Sequence, residues 1–208
     1  TVNVVYGAFI AMVQTDFKYV IGFSSVSHMG LVMMGFATLN PTGLLGAGIQ
    51  MFSHGVMTAL FFAVVGMVYD RAHTREINQL GGFSKKMPWV AVAFIIGGLV
   101  SMGMPGLSGF IAEFPIFMGV WQVQPIVAII ASISIVITAS YIIKIIGKVF
   151  FSPMPEEFEH HVGDVTVLDK VALVMLCVIM IVLGVYPTVM SPLVASGVQR
   201  ILSLFGGA

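Results

Sequence analysis

An all-α membrane protein, a polytopic helix bundle with one discontinuous transmembrane helix, is the fold class that three features of this chain predict. Hydrophobic residues fill 58% of the 208 positions and charged residues 9%, with a mean hydropathy of +1.04. Soluble domains carry about a quarter charged residues. The apolar residues fall into runs long enough to cross a bilayer, for which about 20 residues suffice. One run, Pro88 to Trp121, is interrupted by Met102-Gly103-Met104-Pro105-Gly106-Leu107-Ser108-Gly109 and then carries Glu113, the sole carboxylate between Glu76 and Glu156. An acid in lipid costs at least about 2.5 kcal/mol on insertion scales, so it marks a partner, a water path or a task. A broken helix beside a buried charge is the pattern of an ion transporter.

Taken in order, Thr1 to Gln14 is apolar but too short to cross alone and reads as a partial span. Tyr19 to Leu39 and Gly43 to Tyr69 are full spans, separated by the turn residues Asn40-Pro41-Thr42. Pro88 to Trp121 holds 34 residues, too many for one straight crossing, and fits two half-helices joined near 102–109. Pro125 to Phe151 and Val171 to about Met190 complete a single transmembrane domain over 1–208. Beyond Pro187, Leu193 to Phe205 has the pattern of a short interfacial helix. The chain opens in apolar sequence with no basic stretch leading to a small-residue cleavage site, so the expectation is a piece of a larger subunit.

Loop charges orient the spans. Following alternate crossings, one face, A, receives Lys18, Arg71, Arg75, Lys85, Lys86, Lys148 and Lys170, with Lys144 leaning towards it, and the opposite face, B, receives only Arg200. An excess of Lys and Arg marks the cytoplasmic side, so face A is expected there. Ser152 to Asp169, with Glu156, Glu157, Glu159, His160, His161 and Asp164, then becomes a cytoplasmic connector. His160-His161 in that acidic stretch reads as solvated rather than as a metal site. Formal net charge is zero with no basic tract, which argues against a nucleic-acid partner. The lone Cys177 excludes an internal disulfide and a cysteine-ligated cluster.

Within the spans, His28 lies about nine residues from face A, roughly 13 Å deep, with Ser24 and Ser25 on the same helical face. Its unperturbed pKa suits proton transfer near neutrality; a neutral imidazole hydrogen-bonded across a helix interface is the other reading. His54 lies about eleven residues in from face B, on a stripe with Gln50 and Thr58, so the two imidazoles on successive helices define one buried polar layer. Polar residues of this kind also serve simply to hold helices together. Glu113 lies about eight residues from Trp121, roughly 12 Å from face B. It suits a proton acceptor, and equally a charge set against the positive end of the second half-helix. Lys144 shares a face with Ser140 and Lys148, near Ser134, Thr138 and Tyr141; it either helps bring protons in or neutralises a neighbour. Asp16 and Lys18 read as an interfacial ion pair. The glycines at 97, 98, 103, 106 and 109 show no phosphate-loop pattern.

Several words along the chain occur in a known order: Gln14-Thr15-Asp16-Phe17-Lys18, Ser24-Ser25-Val26-Ser27-His28-Met29-Gly30, His54-Gly55, Asp70-Arg71-Ala72-His73-Thr74-Arg75-Glu76, Gly103-Met104-Pro105-Gly106-Leu107-Ser108-Gly109-Phe110 and Glu113-Phe114. Together they resemble the antiporter-like subunits of respiratory complex I, NADH-quinone oxidoreductase, which are related to Mrp antiporter and membrane-bound hydrogenase subunits. The likeness is strongest to the M, or chain 4, type, whose acceptor on the broken helix is glutamate rather than lysine. It implies a fold of fourteen helices in two inverted repeats, of which this chain is the second half, with Pro88 to Trp121 as the discontinuous twelfth helix. It further places His28 and His54 on a central hydrated axis and Glu113 at the terminal proton site.

The function expected is therefore proton translocation in complex I, with protons passing through His28, His54 and Glu113, and Lys144 assisting, while electrons pass from NADH to quinone in partner chains. No cofactor and no metal are expected here. The expected partners are neighbouring antiporter-like subunits and the lipid of a bacterial inner membrane. The alternatives are an Mrp-type Na+/H+ antiporter or hydrogenase subunit, and a passive membrane spacer.

Overall fold

The computed structural model describes residues 1–159 and 162–204, and the regular elements among them are helical. In chain order they are α1 (Val2–Val13), α2 (Phe17–Ala37), α3 (Pro41–Ala72), α4 (Phe83–Lys86), α5 (Pro88–Ser101), α6 (Ser108–Val123), α7 (Pro125–Ile145), α8 (Glu156–Glu159), α9 (Val167–Val185) and α10 (Ser191–Leu204). A π-helical turn, Ile146–Phe151, extends α7, and a 3-10 turn, Pro187–Val189, precedes α10. Among the described residues, four helices are long and apolar enough to cross a membrane: Phe17–Ala37, Pro41–Ala72, Pro125–Phe151 and Val167–Val185. His160-His161 lies outside the described residues.

Local chemistry starts and stops these helices. The Asp16 carboxylate caps α2 by accepting the Lys18 and Tyr19 amides, and Asn40 caps α3 ahead of Pro41. Thr166 and Asp169 form a reciprocal capping box at the start of α9. Asp16 does not pair with Lys18, as its spacing suggested. Its carboxylate turns to the helix end and to Arg75, whose Nε lies 3.3 Å from Oδ2. The backbones of Thr15–Phe17 and Arg75–Ile77 also pair, Phe17 N–H to Arg75 O and Ile77 N–H to Thr15 O at 2.8 Å each, tying two loops together on face A.

The interrupted run is two half-helices joined by back-to-back turns. The Met104 amide bonds to Leu99 O and the Gly103 amide to Val100 O, the paired bonds that end a helix when the intervening residue is left-handed; Gly103 has φ +67°. The next four residues close a turn from Leu107 N–H to Met104 O at 3.2 Å, with Pro105 and Gly106 (φ +90°) in the positions a type II turn requires. The second half-helix then starts at Ser108 with no side-chain cap, and Pro115 lies inside it.

In the packing, α3 is the centre: it lies against α6 most extensively, and also against α2, α5, α9 and α10. The link between the half-helices is pinned from outside by α9, because a Cβ on Gly184 would collide with Gly106 O and Leu107 Cα. Nearer face A, Phe94 of α5 meets Phe17, Phe61 and Phe150, with ring centroids 5.3, 5.0 and 5.3 Å apart. The connector after α7 is held by Arg71, which donates to the carbonyls of Gly163 and Asp164, and by Lys170, which pairs with the Asp164 carboxylate.

Gly184→Val is expected to destabilise the subunit by about 1–3 kcal/mol, the usual cost of overpacking, read as a lower melting temperature or lost assembly. The Lys170 ammonium beside Asp164 holds its carboxyl below the usual carboxylate range. A value depressed by folding stabilises above the free-chain pKa, about 3.9, and ceases to as pH falls through the depressed value. Limited proteolysis of the 152–166 connector should therefore accelerate only below about pH 4. Lys170→Gln should speed it at neutral pH by a few-fold at most, because an exposed pair contributes about 1 kcal/mol or less.

Candidate functional site

One oxygen of the buried carboxylate is doubly engaged. Glu113 and His28 are 5% and 3% exposed, and His28 Nδ1 lies 2.9 Å from Glu113 Oε1. The same carboxylate oxygen accepts from Gln50 Nε2 at 3.0 Å. The other imidazole nitrogen, His28 Nε2, lies 3.0 Å from the hydroxyl of Ser101. Thus α2, α3, α5 and α6 each contribute one side chain to a single polar knot inside an apolar bundle. A hydrogen bond to an ionised group is about twice as strong as a neutral one, and stronger still out of water.

His54 stands one step behind. Its ring centroid is 5.3 Å from that of His28, and its Nε2 shares a proton with Thr58 Oγ1 at 3.1 Å. Its Nδ1, like Gln50 Oε1, is buried without a hydrogen-bond partner among the described residues. A buried polar atom left so costs about 1–3 kcal/mol. Gln50 Oε1 belongs to the amide that donates to Glu113, and His54 Nδ1 to the ring beside His28. Ser53 Oγ donates to Ser108 Oγ at 2.8 Å, fastening α3 to the first residue of α6.

The structure brings three of the four sequence-predicted residues together, His28, His54 and Glu113, and leaves the fourth apart. His28 rather than His54 touches the carboxylate, so the order along the layer is His54, His28, Glu113. Lys144 is exposed and donates to Met12 O at 3.3 Å, joining α7 to the end of α1 rather than to the knot. Glu113 is the sixth residue of α6, beyond the first turn where the amides of the helix end are free. Its partners are therefore side chains.

Two members, Gln50 and Ser101, were not singled out as site residues in the sequence. Gln50 was visible only as part of a stripe, and its aim at Glu113 follows from the packing of α3 on α6. Ser101 is the last residue of α5, and its signal was position: a hydroxyl at a helix break inside a membrane lines whatever the break exposes. Tyr141 of α7 also reaches this layer, its hydroxyl donating to Ser24 Oγ at 2.7 Å.

Residues 1–138 match the family described as NADH:quinone oxidoreductase/Mrp antiporter, TM. The chain is similar to NADH-quinone oxidoreductase subunit M of Rhodobacter capsulatus, 36% identical over 201 residues that cover 97% of this chain and 39% of that protein. It is also similar to F420H2 dehydrogenase subunit M of Methanosarcina mazei, 35% identical over 207 residues covering 100% and 42%. Among solved structures, a chain of respiratory complex I from Thermus thermophilus with bound NADH superposes with a TM-score of 0.92 at 27% identity, covering 99% of this chain and 43% of that one. The chain spans about two fifths of the length of the curated relatives it matches.

Removing one partner of a buried pair strands the other. His28→Leu is expected to cost about 3–5 kcal/mol, measured by thermal unfolding in detergent. The double variant His28→Leu with Glu113→Leu should recover most of that loss, so the cycle yields a coupling energy well above that of a surface pair.

Proposed function

The chain belongs to the NADH:quinone oxidoreductase/Mrp antiporter transmembrane family, and from that premise we propose that it carries protons across the membrane as part of an M-type subunit of NADH-quinone oxidoreductase. The carrying observation is the buried 2.9 Å contact between His28 Nδ1 and Glu113 Oε1 with His54 in the next position. At that distance the Nδ1 proton of a charged His28 passes to the carboxylate without movement of either helix. That leaves neutral His28 with its remaining proton on Nε2 and a bare Nδ1 facing Glu113, so reloading requires the ring to exchange its two nitrogens; His54 is the neighbouring imidazole, 5.3 Å away between ring centroids. Glu113 Oε2 points away from both donors towards Gly103, where a Cβ would lie 3.4 Å from it, so the loaded acid has a second oxygen facing the break. Release is towards face B, on which α6 ends.

No step in this chain moves electrons. We assign flavin, iron–sulfur clusters and quinone to partner chains, where the transfer of electrons from NADH to quinone changes the charge state at the end of the polar layer. The two dehydrogenase relatives carry different donors in their names, which supports placing the donor site outside this part of the subunit. They also favour a dehydrogenase assembly over sodium/proton exchange. A passive spacer would gain nothing from four polar side chains converging in oil, where each unpaired alternative is costly. The excess of Lys and Arg on face A supports placing that face in the cytoplasm of a bacterial cell, with neighbouring antiporter-like subunits alongside.

The test is proton pumping by the complete assembly in proteoliposomes. Glu113→Gln is expected to lower pumping by about 10²-fold or more, the range for a lost acid–base group, and His54→Ala to lower it by less, on the order of tenfold, because His54 does not touch the carboxylate. Normal pumping by an assembled Glu113→Gln complex rejects the proposal.

A further inference from the structure

Gln50 belongs to the polar knot but has no part in the order His54, His28, Glu113. It is 2% exposed, and its amide is satisfied at one end only. Nε2 donates to Glu113 Oε1 at 3.0 Å, while Oε1 is buried without a hydrogen-bond partner among the described residues. A side chain that only fastened helices would have no reason to strand half of its amide, since an apolar one of the same size fills the space without that penalty. The acid also sets which end of the amide it meets. Turned over, Gln50 would bring its oxygen against a carboxylate oxygen, acceptor against acceptor.

The two oxygens of Glu113 are treated differently. His28 Nδ1 and Gln50 Nε2 lie 2.9 and 3.0 Å from Oε1, whereas Oε2 faces the break, 3.4 Å from where a Cβ on Gly103 would stand. An N–H group bonds a bare carboxyl oxygen better than a protonated one, because the proton takes up a lone pair and the charge. The site therefore prefers the bare oxygen under its donors and the protonated one towards the break.

We propose that Gln50 is a positioning residue for release: its amide holds the bare oxygen of Glu113 and so keeps the loaded oxygen on the side of the break. This rests on the proton-carrying reading above. Each passage moves one proton and no electrons. The Nδ1 proton of a charged His28 passes to the oxygen it faces, and once the ring has exchanged its nitrogens two N–H groups face that protonated oxygen. The carboxyl then turns about its Cγ–Cδ bond, carrying the O–H to the Gly103 side and bringing the bare oxygen under Gln50 Nε2. When the O–H bond breaks, the proton goes to water on the way to face B, and the Gln50 N–H stabilises the carboxylate left behind. The titratable side chains on the elements packed around this pair are His28 from α2, His54 from α3, Tyr141 from α7 and Cys177 from α9; α5 contributes only the hydroxyl of Ser101, and α10 buries only Val198.

The experiment measures the pH profile of pumping by the whole assembly carrying Gln50→Met, which keeps the volume and removes the donor, with Met51→Leu on the exposed side of α3 as the baseline and Glu113→Gln alongside. Without the donor the acid keeps its proton to higher pH. Gln50→Met is therefore expected to slow pumping at neutral pH by about tenfold and to move the profile towards alkaline by about one pH unit, the scale of one hydrogen bond to a charged group. Gln50→Asn, which draws the amide back by one carbon, is expected to move it the same way, and it decides the case where the methionine variant does not assemble. An unmoved profile overturns the proposal whether or not the rate falls, because a purely structural role slows pumping alike at every pH. If Glu113→Gln pumps normally, the proton-carrying reading falls and this role with it; if Glu113→Gln stops pumping while the Gln50 variants keep the baseline profile, only the role of Gln50 falls.

Discussion

The hydrogen bond between His28 and Glu113 is the constraint around which the bundle is arranged. Both groups lose their water when the helices pack, and the short contact with its two flanking hydrogen bonds, from Gln50 and to Ser101, offsets part of that loss. The broken helix is what makes the partnering possible. In a continuous helix Ser101 and Glu113 would be twelve residues, or about 18 Å, apart along the axis. With the chain turned back at Gly103 and again at Gly106, the two residues meet opposite nitrogens of one imidazole. The break therefore does more than admit a charge into the membrane. It lets one stretch of chain hold both sides of the ring.

Packing then isolates that ring. Phe17, Phe61, Phe94 and Phe150 form a layer of aromatic rings nearer the basic face, and the fastening of the loops at Asp16, Arg75 and Glu76 lies beyond them. A low-dielectric layer of this kind strengthens every electrostatic contact above it.

Much of this was legible in the sequence because membrane insertion imposes coarse, one-dimensional rules. Span lengths, the Gly/Pro interruption, and the depth of His28, His54 and Glu113 all follow from counting residues against a fixed thickness. What counting cannot supply is rotation about each helix axis. Lys144 is at the right depth and on a polar stripe, yet its side chain turns outward to Met12. Gln50 and Ser101 looked incidental and proved to touch the pair directly. Asp16 was placed by its neighbour in sequence, whereas its partner Arg75 arrives through a backbone bridge between distant loops. In each case the deciding fact was which face of one helix meets another.

Pro115 adds a mechanical consequence. It lies two residues after Glu113, has no amide to give to the carbonyl of Ile111, and so weakens the helix about two turns beyond the break. The acceptor thus rides on a short splint, residues 108–114, with a joint at each end. Stiff neighbours set where that splint rests. A small tilt about those joints would lengthen the carboxylate–imidazole contact without unfolding the rest of the bundle.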